Sequence, residues 1–332
     1  MTALPKTTLP RRLGACASVI LTAALVAYVG PGRIAASLAG ARLPLLALAV
    51  PAYAAVYLVR GLRWRLLLRD VAPAIGVAET STLTALGWLA STFLPLKAGD
   101  PMRAALLARR HRVPFLQVAG SVGVERILDL LSLAAVATVG VAALVGTVPS
   151  AGAVAVAVAW VAGLVAGAVL LAWVWLLPER EPTHRFLRLA AATVRTARDL
   201  ADRPRRLPAV LALTLLGTIA QVLVFVALLA GLLPGIDWWR LLAVLPLFLL
   251  SFAIALTPGH VVTYEAALVA ALALAGVQGD LVPVAVATHL LSVAGVVVCG
   301  GAAAAAYALL RASDRPAAES LPANPPSERM AP

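Results

Sequence analysis

STFLPLKAGDPMRAALLARR, residues 91–110, begins as membrane and then turns into something hydrocarbon rejects. Its core, Pro95-Leu96-Lys97-Ala98-Gly99-Asp100-Pro101, ends an apolar stretch, and Met102 to Arg110 then reads as a basic helix. Pro removes a backbone donor and Gly loosens the chain, so this break frees polar backbone groups that lipid cannot satisfy. Such a segment persists only where it is buried in protein or lines a wet cavity.

The rest of the chain makes the surroundings of that break apolar. Of 332 residues 62% are hydrophobic and only 13% charged, with mean hydropathy +0.95, whereas soluble domains carry roughly 25% charged residues. The reading is an all-α, polytopic helical membrane protein. Lys and Arg outnumber Asp and Glu by 27 to 15, and the excess sits in a few short connections. That is the signature of cytoplasmic loops rather than of nucleic-acid binding. Cys16 and Cys299 lie in apolar runs near opposite ends, without metal-ligand or redox spacing, and read as small core residues.

A membrane helix needs roughly 20 apolar residues. The runs near 13–29, 43–59, 115–147, 152–177, 208–232 and 282–310 come up to that length. Two further stretches, 78–96 and 241–277, are interrupted by Pro, Gly and polar residues, which gives about six to eight transmembrane helices in all. The N-terminus resembles a signal peptide, but Gly30-Pro31-Gly32-Arg33 follows it instead of a cleavage site, so an uncleaved first helix is expected. The expected organisation is a cytoplasmic N-terminus (1–12), one membrane domain (13–310) and a disordered cytoplasmic tail (311–332). Residues 178–206 form a basic amphipathic connection suited to an anionic leaflet.

The basic segments are the N-terminus, 60–69, 97–112, 178–206 and the tail. If all five face the cytoplasm, 78–96 dips in and returns on that side, while 241–277 starts and ends outside. The two broken segments hold comparable places in the two halves. Ser91 opens a short apolar half-helix that Pro95 ends, with Lys97, Gly99 and Asp100 after it. Ser251 opens another that Pro258 ends, with Gly259, His260 and then Glu265 after it. Paired, Pro/Gly-broken segments point to a transport site built from two re-entrant hairpins in pseudo-symmetric halves. The plainer alternative is two loops between full helices.

Three further groups are candidates. Glu125 and Asp129 are four apart and share a helix face, and Arg126 is placed to pair with Asp129. Charges this near a span are either a site or an interfacial bridge that fixes helix depth. Glu265 either caps the helix it begins or pairs with Arg103 or Arg126. Arg60, Arg63, Trp64 and Arg65 read as an interfacial belt facing lipid phosphates, or as an orientation signal. His289 sits inside an apolar span. No Walker loop, dinucleotide fingerprint, HExxH or DxD pair is present, and no metal or cofactor is expected.

RGLRWRLLL (60–68), LPLKAGDPMRAALLARR (94–110), ERILDLLSL (125–133) and TPGHVVTYEAALVAALALAGV (257–277) occur in the order found in the lysylphosphatidylglycerol synthase transmembrane-region family, which the chain resembles from about residue 13 to 310. The resemblance implies a flippase-like helical fold with re-entrant elements and a role in moving charged phospholipids between leaflets. It singles out Pro95, Gly99, Arg103, Glu125, Arg126, Asp129, Pro258, Gly259 and Glu265. The soluble aminoacyltransferase domain of many relatives has no counterpart in this sequence, so lipid synthesis is not expected. His260-Val261-Val262-Thr263-Tyr264 stands where the family has a glycine-rich turn, and His289 where many relatives have an arginine. A lipid translocase in the cell membrane is therefore expected, with phospholipids as partners and cell-envelope or lipid-synthesis enzymes as a further partner class. The alternatives are a membrane-embedded transferase of lipid or glycan synthesis and a non-transporting membrane partner.

Overall fold

The computed structural model describes residues 8–94, 97–144, 184–253 and 257–313, and every regular element among them is helical. Helix α1 (Thr8–Val29) turns through 79° at Gly30-Pro31 into α2 (Pro31–Ala39). Then follow α3 (Leu43–Leu67), α4 (Val77–Phe93), α5 (Gly99–His111), α6 (Phe115–Leu144) and α7 (Arg185–Ala201). The remainder is α8 (Leu207–Leu232), α9 (Trp238–Leu250), α10 (Thr263–Leu274) and α11 (Leu281–Ser313). Helices α3, α8 and most of α11 are each long and apolar enough to cross a membrane, and α1 with α2 makes a fourth candidate. The expected span at 152–177, Pro95 and all but the first three residues of the 311–332 tail expected to be disordered lie outside the described residues, and those three continue the last helix.

Contacts at the helix ends fix the two faces of the molecule. Arg206, before α8, donates to both carboxylate oxygens of Asp70, after α3, at 2.6 and 3.0 Å. At the far ends of the same two helices, the Arg42 amide donates to the Gly231 carbonyl at 2.9 Å. Helices α3 and α8 are therefore antiparallel neighbours, one end basic and the other marked by Arg42. The Arg33–Asp280 ion pair joins the α2 corner to the start of α11 on the Arg42 face. Tyr307, near the other end of α11, packs against the buried cluster that includes Trp64, Leu68 and Ala72 at the basic face.

The two broken segments are hairpins. In the first, Glu79 at the start of α4 contacts Arg110 (3.0 Å) and His111 (3.1 Å) at the end of α5, so the hairpin leaves on the basic face by which it came. Its arms pack closely: a Cβ on Gly99 would lie 1.8 Å from the Gly87 carbonyl oxygen. The second hairpin, α9 and α10, begins just after α8 ends and finishes just before α11 begins, which puts both its ends on the Arg42 face. At 13 and 12 residues its arms are roughly 20 Å long, too short to cross the roughly 30 Å apolar layer. The hairpins thus dip from opposite faces.

Helix α7 is amphipathic as expected, and its buried side is set against α6. A Cβ at Gly123 would come within 2.2 Å of the Thr193 hydroxyl, and one at Gly120 within 2.7 Å of the Ala192 carbonyl. Small residues at these two positions let the helices approach. One smaller expectation is corrected: Cys16 is exposed, whereas Cys299 is half-buried and packs against the main core.

Candidate functional site

The basic halves of α3, α5 and α6 converge on a buried ionic network. Arg60 and Arg63, one turn apart on α3, both donate to Asp129 of α6, at 2.7 and 2.6 Å. Arg63 also donates to Glu125 at 3.1 Å and to the Thr214 hydroxyl of α8 at 3.2 Å. Arg103 of α5 donates to the other Glu125 oxygen at 2.6 Å, and its guanidinium lies 4.3 Å from the Trp64 ring centre. Arg126 bridges Asp100 and Asp129, at 3.4 Å from each. The spacing of Glu125 and Asp129 makes this possible, because residues four apart on α6 present both carboxylates to the same face of α3.

Buried charges survive in a protein when each is paired. Here four guanidinium groups meet three carboxylates, which leaves one positive charge in excess, and Lys97 at the tip of the first hairpin adds another. Arg60, Arg63, Arg103, Glu125 and Asp129 are all buried. Arg126 keeps 32% of its side chain exposed and Lys97 is half-buried.

Those two cations face the space where the hairpin tips meet. Two adjoining cavities of about 130 and 290 Å³ share Trp88, Lys97, Asp100, Arg126, Gln221 and Phe252 as lining residues. Gly259, His260 and His289 line the first, Arg60 and Asp129 the second. The far wall belongs to the second hairpin. Glu265 receives the Val262 amide at 2.7 Å through one oxygen and approaches His289 Nδ1 at 2.5 Å through the other. His289 in turn stacks on Tyr264, with ring centres 4.0 Å apart.

The turn before Glu265 is unusual backbone. Gly259 has φ 70°, His260 φ 57° and Val262 φ 74°. A β-branched residue in that region is strained. The strain falls on His260 and Val262, which carry side chains at positive φ.

The structure brings together Lys97, Asp100, Arg103, Glu125, Arg126 and Asp129, with Gly99 setting the approach of the hairpin arms. Gly259 and His260 gather on the opposing wall, with Glu265 behind it against His289. Three expectations change. Arg60, Arg63 and Trp64 are not an interfacial belt: all three are buried, and Trp64 donates to the Ser121 hydroxyl at 3.0 Å beneath Arg103. Arg65 alone stays at the surface, donating to the Ile75 carbonyl. Of the two readings of Glu265, capping holds, since one oxygen accepts the N-cap Val262 amide at the start of α10, while the pairing with Arg103 or Arg126 is replaced by one with His289. Arg103 is committed to Glu125 and Asp100, so Arg126 and Lys97 are the cations open to a ligand.

Sequence reading passed over the α8 contribution. Thr214, Thr218 and Gln221 are buried at spacings of four and three along an otherwise apolar helix. That polar stripe is itself a readable signal of a face turned to a polar site. No group of three or more His, Cys, Asp or Glu suited to a metal occurs among the described residues.

Comparison with known proteins adds two findings. A family model for the lysylphosphatidylglycerol synthase TM region matches residues 15–320, a range that takes in every group above. The curated protein glycosyltransferase AglD of Haloferax volcanii is 29% identical over 160 residues, covering 44% of this chain and 24% of AglD. The match therefore spans about a quarter of that relative's length.

Proposed function

Because the chain belongs to the lysylphosphatidylglycerol synthase transmembrane-region family, we propose that it carries the headgroup of a membrane lipid between leaflets through the cavity where its hairpin tips meet. One observation carries this reading. A polar space with excess positive charge lies where two re-entrant hairpins of opposite sense converge, which is the arrangement of alternating-access carriers. Moving a charged headgroup through hydrocarbon is prohibitive without partners, and Arg126 and Lys97 provide fixed ones. Arg126 can release Asp100 to a phosphate while keeping Asp129, and Asp100 still keeps Arg103. No covalent step is involved on this reading, and the chain is not an enzyme. The basic face is cytoplasmic by the positive-inside rule, in the cell membrane, with both ends of the chain on that side.

The test is reconstitution into liposomes with headgroup-labelled phospholipids, followed by a leaflet-accessibility assay. Exchange well above that of empty vesicles is expected, and it should fall in Arg126→Gln. Rates equal to those of empty vesicles for anionic, zwitterionic and polyprenyl lipids alike would sink the proposal.

The similarity to glycosyltransferase AglD favours a second reading, a membrane-embedded part of a lipid or glycan transferase. A deletion strain separates the two. Altered lipid or glycan composition supports the transferase reading, and altered lipid sidedness at constant composition supports the carrier.

A further inference from the structure

Resting on the carrier reading, we infer that the cavity selects lipid headgroups that are anionic and carry neutral hydroxyls, and turns away headgroups bearing an ammonium group. The charges at the cavity wall point this way. Its cations are Arg60, Lys97 and Arg126, and its carboxylates are Asp100 and Asp129. Asp129 already has Arg60, Arg63 and Arg126 within 3.4 Å, and Asp100 has Arg103 at 3.3 Å and Arg126 at 3.4 Å. Glu265, behind the wall, spends one oxygen on the Val262 amide and the other on His289. Among the described residues, no carboxylate at this cavity lacks a partner that an incoming ammonium would have to displace. A phosphate meets the opposite situation, because it can take Asp100's place on Arg126 without leaving any ion unpaired.

Aromatic faces are the other means of holding an ammonium. Here the Trp88 face is taken by the Arg60 guanidinium, 5.1 Å from the ring centre, and Tyr264 is covered by His289, while of the other aromatics at the cavity Tyr53 stacks on Tyr57 and Phe225 and Phe252 pack against each other, Phe248 and Tyr264. What the cavity does offer is neutral and unpaired. Gln221 is 4% exposed, yet its Oε1 has no hydrogen-bond partner, and His260 Nδ1 is equally without one. Buried polar atoms left unpaired are costly, and a hydroxyl that donates to them removes that cost. An amide can both accept and donate, which suits a polyol or sugar better than a methylated amine.

A free glycerol or sugar phosphate would present the same chemistry as a lipid headgroup. The structure favours the lipid, because an apolar groove of about 650 Å³ between α5, α6 and α7 ends on the same two residues, Asp100 and Arg126. Phe115 and Phe186 flank it, 43% and 74% exposed. An acyl chain in that groove would set its phosphate at Arg126.

Binding of defined lipids to the purified full chain in detergent, read by native mass spectrometry, tests this without requiring movement. Phosphatidylglycerol should bind roughly tenfold tighter than phosphatidylcholine or lysylphosphatidylglycerol. Gln221→Leu should reduce the preference for phosphatidylglycerol over phosphatidic acid, which lacks the hydroxyls. Gln221→Glu, which adds a carboxylate of the same shape, should raise lysylphosphatidylglycerol binding, a gain that misfolding cannot produce. Lysylphosphatidylglycerol binding as tightly as phosphatidylglycerol, or an order unmoved by both variants, overturns the inference. Displacement by glycerol phosphate at matching concentration overturns the lipid as the source. Selective binding without exchange in vesicles would count against the carrier alone, and exchange without selectivity would count against this inference alone.

Discussion

Asp129 is the residue on which the most charge depends. Three arginines reach it, two from α3 and one from its own helix. Its neighbour Glu125 shares Arg63 with it and holds the remaining arginine, Arg103. The sequence announced the carboxylates, because their i, i+4 spacing within a span is conspicuous. It could not announce Arg60 and Arg63 as their partners, because those stand 62 to 69 positions away and look like any other basic turn at a helix end. Gln221 escaped notice for a related reason: a single amide in an apolar helix gains its meaning only from what surrounds the opposite wall. Removing one partner of a buried pair strands the others, so Asp129→Asn should cost about 3–5 kcal/mol of stability. Asp70→Asn, at an exposed pair, should cost less than about 1 kcal/mol. Chemical unfolding of the two variants in detergent, side by side, checks the contrast. Equal losses would mean that the network is not the stabilising feature it is described as.

At the level of elements, the breaks at 95–101 and 257–260 were legible because Pro and Gly inside apolar runs have a physical meaning that does not depend on fold. The hairpins that result differ in how they make their turns. The first depends on close packing of Gly87 and Gly99 between its arms. The second places Val262 at φ 74°, ψ −48°, where a β-branched side chain is strained, and then uses the Glu265 carboxylate to hold the Val262 amide. Val262 is 60% exposed, so its side chain contributes little packing in return. Glycine relieves strain of about 1–3 kcal/mol at an entropic cost of about 1 kcal/mol. Val262→Gly should therefore stabilise the protein by about 1 kcal/mol, a rise in Tm of roughly 2 °C, whereas Val262→Ile should not. A fall in Tm for the glycine variant would show that the turn does not adopt this conformation.

For the whole molecule, the decisive property is that the hairpins enter from opposite faces. Charge counting reached this arrangement only by assuming which connections share a side. The contacts now reach it independently, through Asp70–Arg206 and Glu79–Arg110 on one face and Arg42–Gly231 with Arg33–Asp280 on the other. A cavity bounded by two such tips can be uncovered from either side in turn if one hairpin shifts while the other stays, which a bundle of full spans cannot do as readily. Single cysteines at positions 70 and 280, in a background with Cys16 and Cys299 replaced, put the arrangement to a direct test, since both native aspartates are about half exposed. An impermeant maleimide applied to intact cells should label position 280 and leave position 70 untouched until the membrane is opened. Position 79 should behave as position 70 does, because Glu79 begins a hairpin that returns to its own face. If 79 labels with 280 instead, α4 crosses the membrane, the two hairpins no longer oppose each other, and the cavity loses the geometry on which the carrier reading depends.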